Sequence, residues 1–374
     1  MSGLYTFLMG NVVTFILVLS LLVFVHEMGH YLVGRWSGIR ILAFSVGFGP
    51  EIFGFNDRHG TRWKISAIPL GGYVRFFGDE DASSKPDSEK VAAMSEEDRA
   101  RSFAGAKLWK RAATVAAGPI ANFLLAIAIF AILFSVYGRM IADPVVAEVT
   151  PGGAAAAAGI LPGDLLVAID GSKVETFDDV RRYVAIRPSQ KIVVTVERGG
   201  QKLDVPMVPQ RTDRTDQFGN KIELGQIGIV TNKEAGNFRL RNYTPLEAVR
   251  EGVIESAGIV TGTFKYIANI FAGSMRADQL GGPIRVAQAS GQMASLGIGA
   301  VLQLAATLSV SIGLLNLMPV PVLDGGHLMF YAVEAVRGRP LGAKAQEIAF
   351  RIGLAMILTL MVFTTWNDIS LSSG

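Results

Sequence analysis

Four stretches of the chain stay apolar long enough to cross a bilayer: about Asn11–Val33, Ala112–Val136, Ile298–Met318 and Ala345–Trp366. Each approaches the roughly 20 residues that a helix needs to span the hydrocarbon core. Water is absent there, so the backbone must satisfy its own polar groups, and the pattern predicts four transmembrane helices. From Thr244 to Phe271 the period is helical but the composition differs. Leu246, Val249, Val253, Ala257, Val260, Phe264, Ile267 and Phe271 recur by threes and fours, as one apolar stripe. Thr244 and Glu247 have capping-box spacing, and Pro245 suits the first helical position. Glu251, Glu255 and Lys265 turn this from a fifth span into an amphipathic helix on the membrane surface or against a domain.

Between the second and third spans the period shortens to that of strands. Val145–Val149 predicts a strand ending at a Pro-Gly-Gly turn, and Ala154–Ala158 a short helix closed by Gly159. Leu161–Gly171 reads as turn, strand and turn. Phe177–Ile186 reads as a helix, and Ile192–Arg198 with Leu203–Val208 as a hairpin around Gly199-Gly200. Gln210–Lys221 is polar and reads as a loop, after which Gly225–Ile229 can return to the domain as a strand. This order, and AAAAAGILPGDLLVAIDG in particular, resembles a bacterial PDZ domain. The resemblance implies capture of an extended peptide at a sheet edge; a spacer domain that binds nothing is the competing reading.

Composition and charge give this pattern an orientation. Half the residues are hydrophobic and 18% are charged, a mixture of membrane and aqueous parts. Thirteen Lys and Arg lie between Gly34 and Arg111, and Arg337, Arg339, Lys344 and Arg351 cluster around the last loop, whereas the segments before Asn11 and after Trp366 have none. The positive-inside rule puts both basic loops in the cytoplasm and both termini outside, which an even number of spans satisfies. No basic n-region precedes the first apolar run, so that run is expected to be retained rather than cleaved as a signal peptide. A net charge of +3 gives no reason to expect nucleic acid as a partner. With no cysteine, any metal must be held by nitrogen and oxygen.

The candidate chemistry lies inside the first span, at His26-Glu27-Met28-Gly29-His30. Positions i and i+4 share a helix face, so both imidazoles can bind one ion, and Glu27 is placed to take a proton from water. Zinc is the metal this spacing suits. Ionisable groups in a span are costly, which favours function over a chance match. A catalytic zinc needs a third ligand. Two candidates follow the third span in Asn316-Leu-Met-Pro-Val-Pro-Val-Leu-Asp-Gly-Gly-His327: Asp324 and His327. Pro319 and Pro321 break the helix there, and Gly325-Gly326 permit close backbone approach. His59, in a polar stretch, reads as a surface residue.

HExxH in the first span and NxxPxPxLDGG after the third are similar to the paired motifs of the site-2 protease family of intramembrane metalloproteases. The regulator-of-sigma-E protease type matches them well. Gly47-Phe-Gly-Pro50, Ile68-Pro-Leu-Gly-Gly-Tyr-Val74, Ala117-Gly-Pro-Ile-Ala-Asn122 and Gly281-Gly-Pro-Ile284 extend the likeness over nearly the whole chain. One departure is the single PDZ-like stretch, where the best-known members of this type carry two in tandem. The resemblance implies His26, His30 and Asp324 as zinc ligands and Glu27 as catalytic base. It also implies Asn316 as a substrate contact, although a helix-end cap explains that residue too. Ile41–Phe77 would be a membrane-associated β-hairpin that holds unwound substrate extended, with Gly72 and Tyr73 as contacts.

The expected fold is a polytopic α-helical membrane protein with four transmembrane helices, this β-hairpin and an inserted extracytoplasmic α+β PDZ domain. Its parts are 1–111 (first span and hairpin), 112–137 (second span), 138–230 (PDZ domain and polar linker), 231–297 (amphipathic helix and connector) and 298–374 (last two spans). The expected activity is zinc-dependent cleavage of single-pass membrane proteins within their spanning segments, during regulated intramembrane proteolysis. Anti-sigma factors and signal-peptide remnants are the substrate classes implied, and the bacterial cytoplasmic membrane is the location, with the active site towards the cytoplasmic side. An inactive PDZ scaffold and a membrane-anchored zincin acting on soluble peptides are the alternatives.

Overall fold

The computed structural model describes residues 7–78, 94–215, 221–231, 238–273, 275 and 281–372. The first six residues and 216–220 of the polar stretch lie outside the described residues. After a π-helical turn (Phe7–Val12) come α1 (Val13–Trp36), β1 (Ile41–Asn56), β2 (Arg62–Phe76), α2 (Glu96–Arg101) and α3 (Leu108–Val136). There follow β3 (Arg139–Ala142), β4 (Glu148–Val149), α4 (Ala154–Ala157), β5 (Leu165–Ile169), β6 (Ser172–Lys173), α5 (Phe177–Ala185), β7 (Ile192–Arg198) and β8 (Gln201–Met207). Next are β9 (Gln210–Thr215), β10 (Lys221–Gln226), β11 (Ile229–Val230), β12 (Phe238–Arg241) and α6 (Pro245–Phe271). The described elements end with α7 (Pro283–Ser295), α8 (Ile298–Leu317), α9 (Asp324–Arg337) and α10 (Ala343–Ser372). The chain forms two compact units, Met1–Phe130 with Gly282–Thr365, and Ala131–Gly281 with Trp366–Gly374.

Four helical segments are long and apolar enough to cross a membrane: Gly10–Trp36, Leu108–Val136, Ile298–Leu317 and Lys344–Ser370. They contain the four predicted runs to within a residue or two. Large side chains on the last of them, among them Ile352, Leu354, Met356, Leu358 and Val362, are exposed. An apolar surface of that extent needs a lipid-like covering.

In the first unit, β1 and β2 do more than form a plain hairpin. Ile41–Val46 pairs with Gly72–Phe76 and also with Arg62–Ile65, which pairs in turn with Phe53–Asn56. The two long strands thus curl into a small sheet. Its inner part packs Ile41, Phe44, Val74 and Phe76 with Tyr31, Phe103 and Val115. Phe48, Ile52, Phe53, Phe55, Ile65 and Ile68 remain exposed. Asp57 at the turn ties this sheet to α1: it accepts from Tyr31 Oη (2.9 Å), Trp63 Nε1 (3.2 Å) and the backbone N–H groups of His59 (2.8 Å) and Thr61 (2.9 Å). Burial pushes the Asp57 carboxyl up, but these donors outweigh it and hold the group down at about 2.

In the second unit a four-stranded antiparallel sheet has the order β6-β5-β7-β8. Its core includes Val146, Ala155, Ile160, Leu166, Ile169, Val180, Val184, Ile192, Val194 and Val196. Alternation of buried and part-exposed residues along β7 follows from packing one face of the strand against α5. Gly199 and Gly200, at φ 57° and 80°, make the tight turn between β7 and β8 that side chains with a Cβ resist. Asp164, almost fully buried, accepts from Arg198 Nε and Nη2 (both 2.7 Å) and from the Leu161 N–H (2.9 Å). The Arg198 guanidinium holds this carboxyl below its ordinary range.

Two expectations need correction here. The strand read over Val145–Val149 shrinks to Glu148–Val149, because the Val146 N–H turns to Asp164 O while the Ala147 N–H goes to Val230 O. Successive residues thus serve different neighbours instead of one ladder. The stretch read as a polar loop, and assigned to a linker, contains β9, paired antiparallel with β10. Polar strands escape a search for apolar alternation. Here the pairing is supported by the backbone ladder and by Arg211 with the buried Glu223 carboxylate (2.5 Å).

Helix α6 carries the predicted capping box, with Thr244 Oγ1 accepting from the Glu247 N–H and the Glu247 carboxylate from the Thr244 N–H. Its buried face is not the apolar stripe but the small residues Ala248, Gly252 and Ser256. Ala248 packs with Ala131, Phe134 and Tyr243. Leu246, Val249, Val253, Phe264 and Phe271 stay exposed.

Candidate metal centre

Helix α1 carries His26 and His30 one turn apart on a single face, both buried. Small residues let α3 approach that face. A Cβ on Gly29 would overlap the Ala117 carbonyl, and one on Gly118 would overlap the His30 and His26 rings. From α3 the Thr114 carbonyl accepts the His30 Nδ1–H at 2.8 Å. That bond assigns the proton to Nδ1 and leaves the Nε2 lone pair directed at the centre. Across the same face, the Asn122 side-chain amide lies 3.2 Å from His26 Nδ1.

The third donor arrives from α9. Pro319 and Pro321 end α8, the chain reverses through Val322 at φ 105°, and Asp324 opens α9. Gly325 and Gly326 allow the reversal, since a Cβ on either would overlap carbonyls of Leu317–Val320. Asp324 Oδ2 lies 3.1 Å from His26 Nε2 and 3.5 Å from His30 Nε2, and the two Nε2 atoms are 3.2 Å apart. A part-buried ion pair, Arg111 with Glu334 at 2.5 Å, joins α3 to α9.

This donor set fits zinc. Among the described residues, His26, His30 and Asp324 form the group of imidazoles and carboxylates whose ligand atoms converge closely enough to hold an ion. Ligands about 2.0–2.1 Å from a tetrahedral zinc stand roughly 3.3 Å from one another, which matches the three observed separations. Asp324 Oδ2 is also buried without a hydrogen bond of acceptable geometry. A carboxylate oxygen facing two imidazole lone pairs is repulsive unless a cation or shared protons lie among them. Glu27 sits beside His26 in the chain and is buried.

The remaining sequence candidates fall as follows. Gly72 abuts Glu27: a Cβ there would lie 3.1 Å from Glu27 Cγ. Tyr73 pairs with Ser45 and stacks near Phe48, with Lys64 Nζ over its ring. Asn316, in the last turn of α8, donates from Nδ2 to Ile312 O at 3.1 Å, a bond within its own helix. His327 is outside the group of converging donors, and its ring lies near Phe330 and Phe350. His59 is exposed in the β1–β2 turn. Thr114 and Asn122 are the contacts that sequence reasoning missed. Asn122 appeared only within a matched segment, although a buried amide in an apolar span was itself a signal; a backbone carbonyl such as that of Thr114 leaves none.

Fold and site together define a metalloprotease with two of its metal donors, His26 and His30, on a helix long and apolar enough to cross a membrane. The sequence pattern of peptidase family M50 matches residues 14–360, and the chain belongs to this family, the site-2 proteases. A protein of Agrobacterium fabrum named as a zinc metalloprotease is 73% identical over 97% of both chains. One of Rhizobium meliloti, named likewise, is 68% identical over 99% of both chains. The metalloprotease MmpA of Caulobacter vibrioides is 38% identical over 96% of this chain and 95% of its own. The protein is accordingly a zinc metalloprotease, and the alternative of an inactive scaffold falls away.

Proposed function

We propose that this protein is an intramembrane endopeptidase that cuts single-pass membrane proteins within, or at the edge of, their spanning helix. The observation that carries this reading is the convergence of His26 and His30, inside one candidate span, with Asp324, at the break that follows another. His26, His30 and Asp324 would hold the ion. Zinc bound there would supply Lewis acidity, lowering the pKa of water towards neutrality and polarising the scissile carbonyl. The Glu27 carboxylate takes the proton from the attacking water and passes it to the leaving amine nitrogen.

A spanning helix hides its amides in its own hydrogen bonds, so cleavage requires an unwound, extended segment. The Gly72–Phe76 segment runs beside Glu27 with Gly72 against its side chain, and a strand added there would bring its amide to the base. Tyr73 and Asn316 would contact that strand. The exposed apolar part of the β1–β2 sheet suits a membrane-embedded position.

The second unit reads as a PDZ domain. A groove of about 170 Å³ lies between Phe177, Val180 and Val184 of α5 and Leu224, Ile227 and Ile229, where a peptide tail would be read. By the positive-inside rule, the basic loops support a metal site towards the cytoplasm and this unit outside, in the cytoplasmic membrane of a bacterium. Substrates would be trimmed by another protease first, with anti-sigma factors and signal-peptide remnants as the candidate classes.

The experiment is cleavage of a reconstituted single-pass test substrate by wild type and Glu27→Gln, with products located by mass spectrometry. Wild type is expected to cut within or at the edge of the span and Glu27→Gln to lose activity by at least 100-fold. Unchanged cleavage by Glu27→Gln, or cuts confined to soluble regions, would sink the reading.

A further inference from the structure

We propose that Asn122 is the positioning residue for His26, its side-chain oxygen accepting the Nδ1 proton and so aiming Nε2 at the metal. The inference rests on the zinc site proposed above. His30 shows the principle, since its Nδ1–H is held by the Thr114 carbonyl and its Nε2 faces the cluster. His26 presents the same atom to the same cluster, with Nε2 3.1 Å from Asp324 Oδ2. A neutral imidazole that binds through Nε2 carries its proton on Nδ1, and that proton needs an acceptor in a buried site.

Asn122 is the side chain that faces it, fully buried and 3.2 Å away. The two ends of an amide have the same shape, and which end faces a partner follows from the hydrogen-bond network. With nitrogen towards His26, Asn122 Oδ1 is a buried acceptor with no partner. A half-turn of the amide gives that oxygen the Nδ1–H and frees Nε2 as a ligand. The backbone holds the amide in place: Asn122 O accepts from Ser309 Oγ of α8 at 2.8 Å, fixing this turn of α3 between α1 and α8. A buried asparagine between helices can also act as plain interhelical adhesive, and the test separates the two roles.

Zinc affinity of the full-length protein in detergent is measured by chelator competition for wild type, Asn122→Leu, Asn122→Asp and Ser309→Ala, with Asp324→Ala as control. Cobalt(II) absorption spectra of the same proteins report ligand geometry. Asn122→Leu is expected to bind zinc 10–100-fold more weakly, as loss of a ligand's outer partner typically does, with an altered cobalt spectrum. Asn122→Asp keeps only the acceptor role and is expected to bind within threefold of wild type or more tightly. Ser309→Ala is expected to lower the melting temperature without moving zinc affinity. If Asn122→Asp binds more than tenfold more weakly, or Asn122→Leu within threefold of wild type, the assignment is wrong. Asp324→Ala keeps this failure distinct: should it bind zinc as wild type does, the metal site itself is misplaced.

Discussion

Asp324 and His327 stand three positions apart, and either could have completed the site on chemistry alone. Their surroundings differ: Asp324 Oδ2 meets two imidazole nitrogens, while the His327 ring lies against Phe330 and Phe350. Asp324→Ala is therefore expected to abolish stoichiometric zinc in the purified protein and His327→Ala to retain it, as metal analysis would read; the reverse pattern would overturn the ligand set. Asp57 makes an acid-dependent contact outside the spans. Its carboxyl is held at about 2 against an ordinary value near 3.8, so its stabilisation is complete above about pH 4 and is lost as pH falls towards 2. Hydrogen exchange in the β1–β2 sheet should accelerate over that window in wild type. In Asp57→Asn exchange should be faster already at pH 6 and less pH-dependent; identical profiles would contradict the role given to these four hydrogen bonds.

At the scale of elements, the chemistry depends on how α3 and α9 are held. The Arg111–Glu334 pair is only 15% exposed on each side, so removing one partner strands a largely desolvated charge. Glu334→Gln is expected to cost on the order of 2–3 kcal/mol, somewhat less than a fully buried pair, and to lower the melting temperature of the detergent-solubilised protein. A melt indistinguishable from wild type would show that α9 is anchored by other contacts. The helices and the sheet of the second unit were legible because each follows from a local period, as in α6 with its capping box or β7 with its alternation. β9 was missed because both its faces are polar. The curl of β1 and β2 into a sheet was missed because pairing one strand with two segments leaves no periodic trace.

For the whole molecule, topology is the property most open to direct measurement, and the absence of cysteine makes single-cysteine labelling simple. Lys202→Cys in the second unit is expected to react with a membrane-impermeant maleimide in intact cells. Arg101→Cys and Arg339→Cys should react only after permeabilisation. Labelling of all three from outside would refute the orientation proposed from the basic loops. That orientation is proposed from the sequence alone, because charge asymmetry across a bilayer is a property of loops taken one at a time. The four apolar helices were legible in the sequence, since they depend only on the length and polarity of continuous segments, and so was the pairing of His26 with His30, which one turn of helix guarantees. The completed site is another matter. It required Gly29 and Gly118 to admit α3, two prolines and two glycines to reverse the chain before α9, and Asp324 to reach α1 from a segment distant in sequence. Thr114 and Asn122 joined by the same packing. Local pattern sets what each helix can offer, but only the close approach of separate helices decides which atoms share a cavity, because that depends on side-chain volume across interfaces with no fixed sequence spacing.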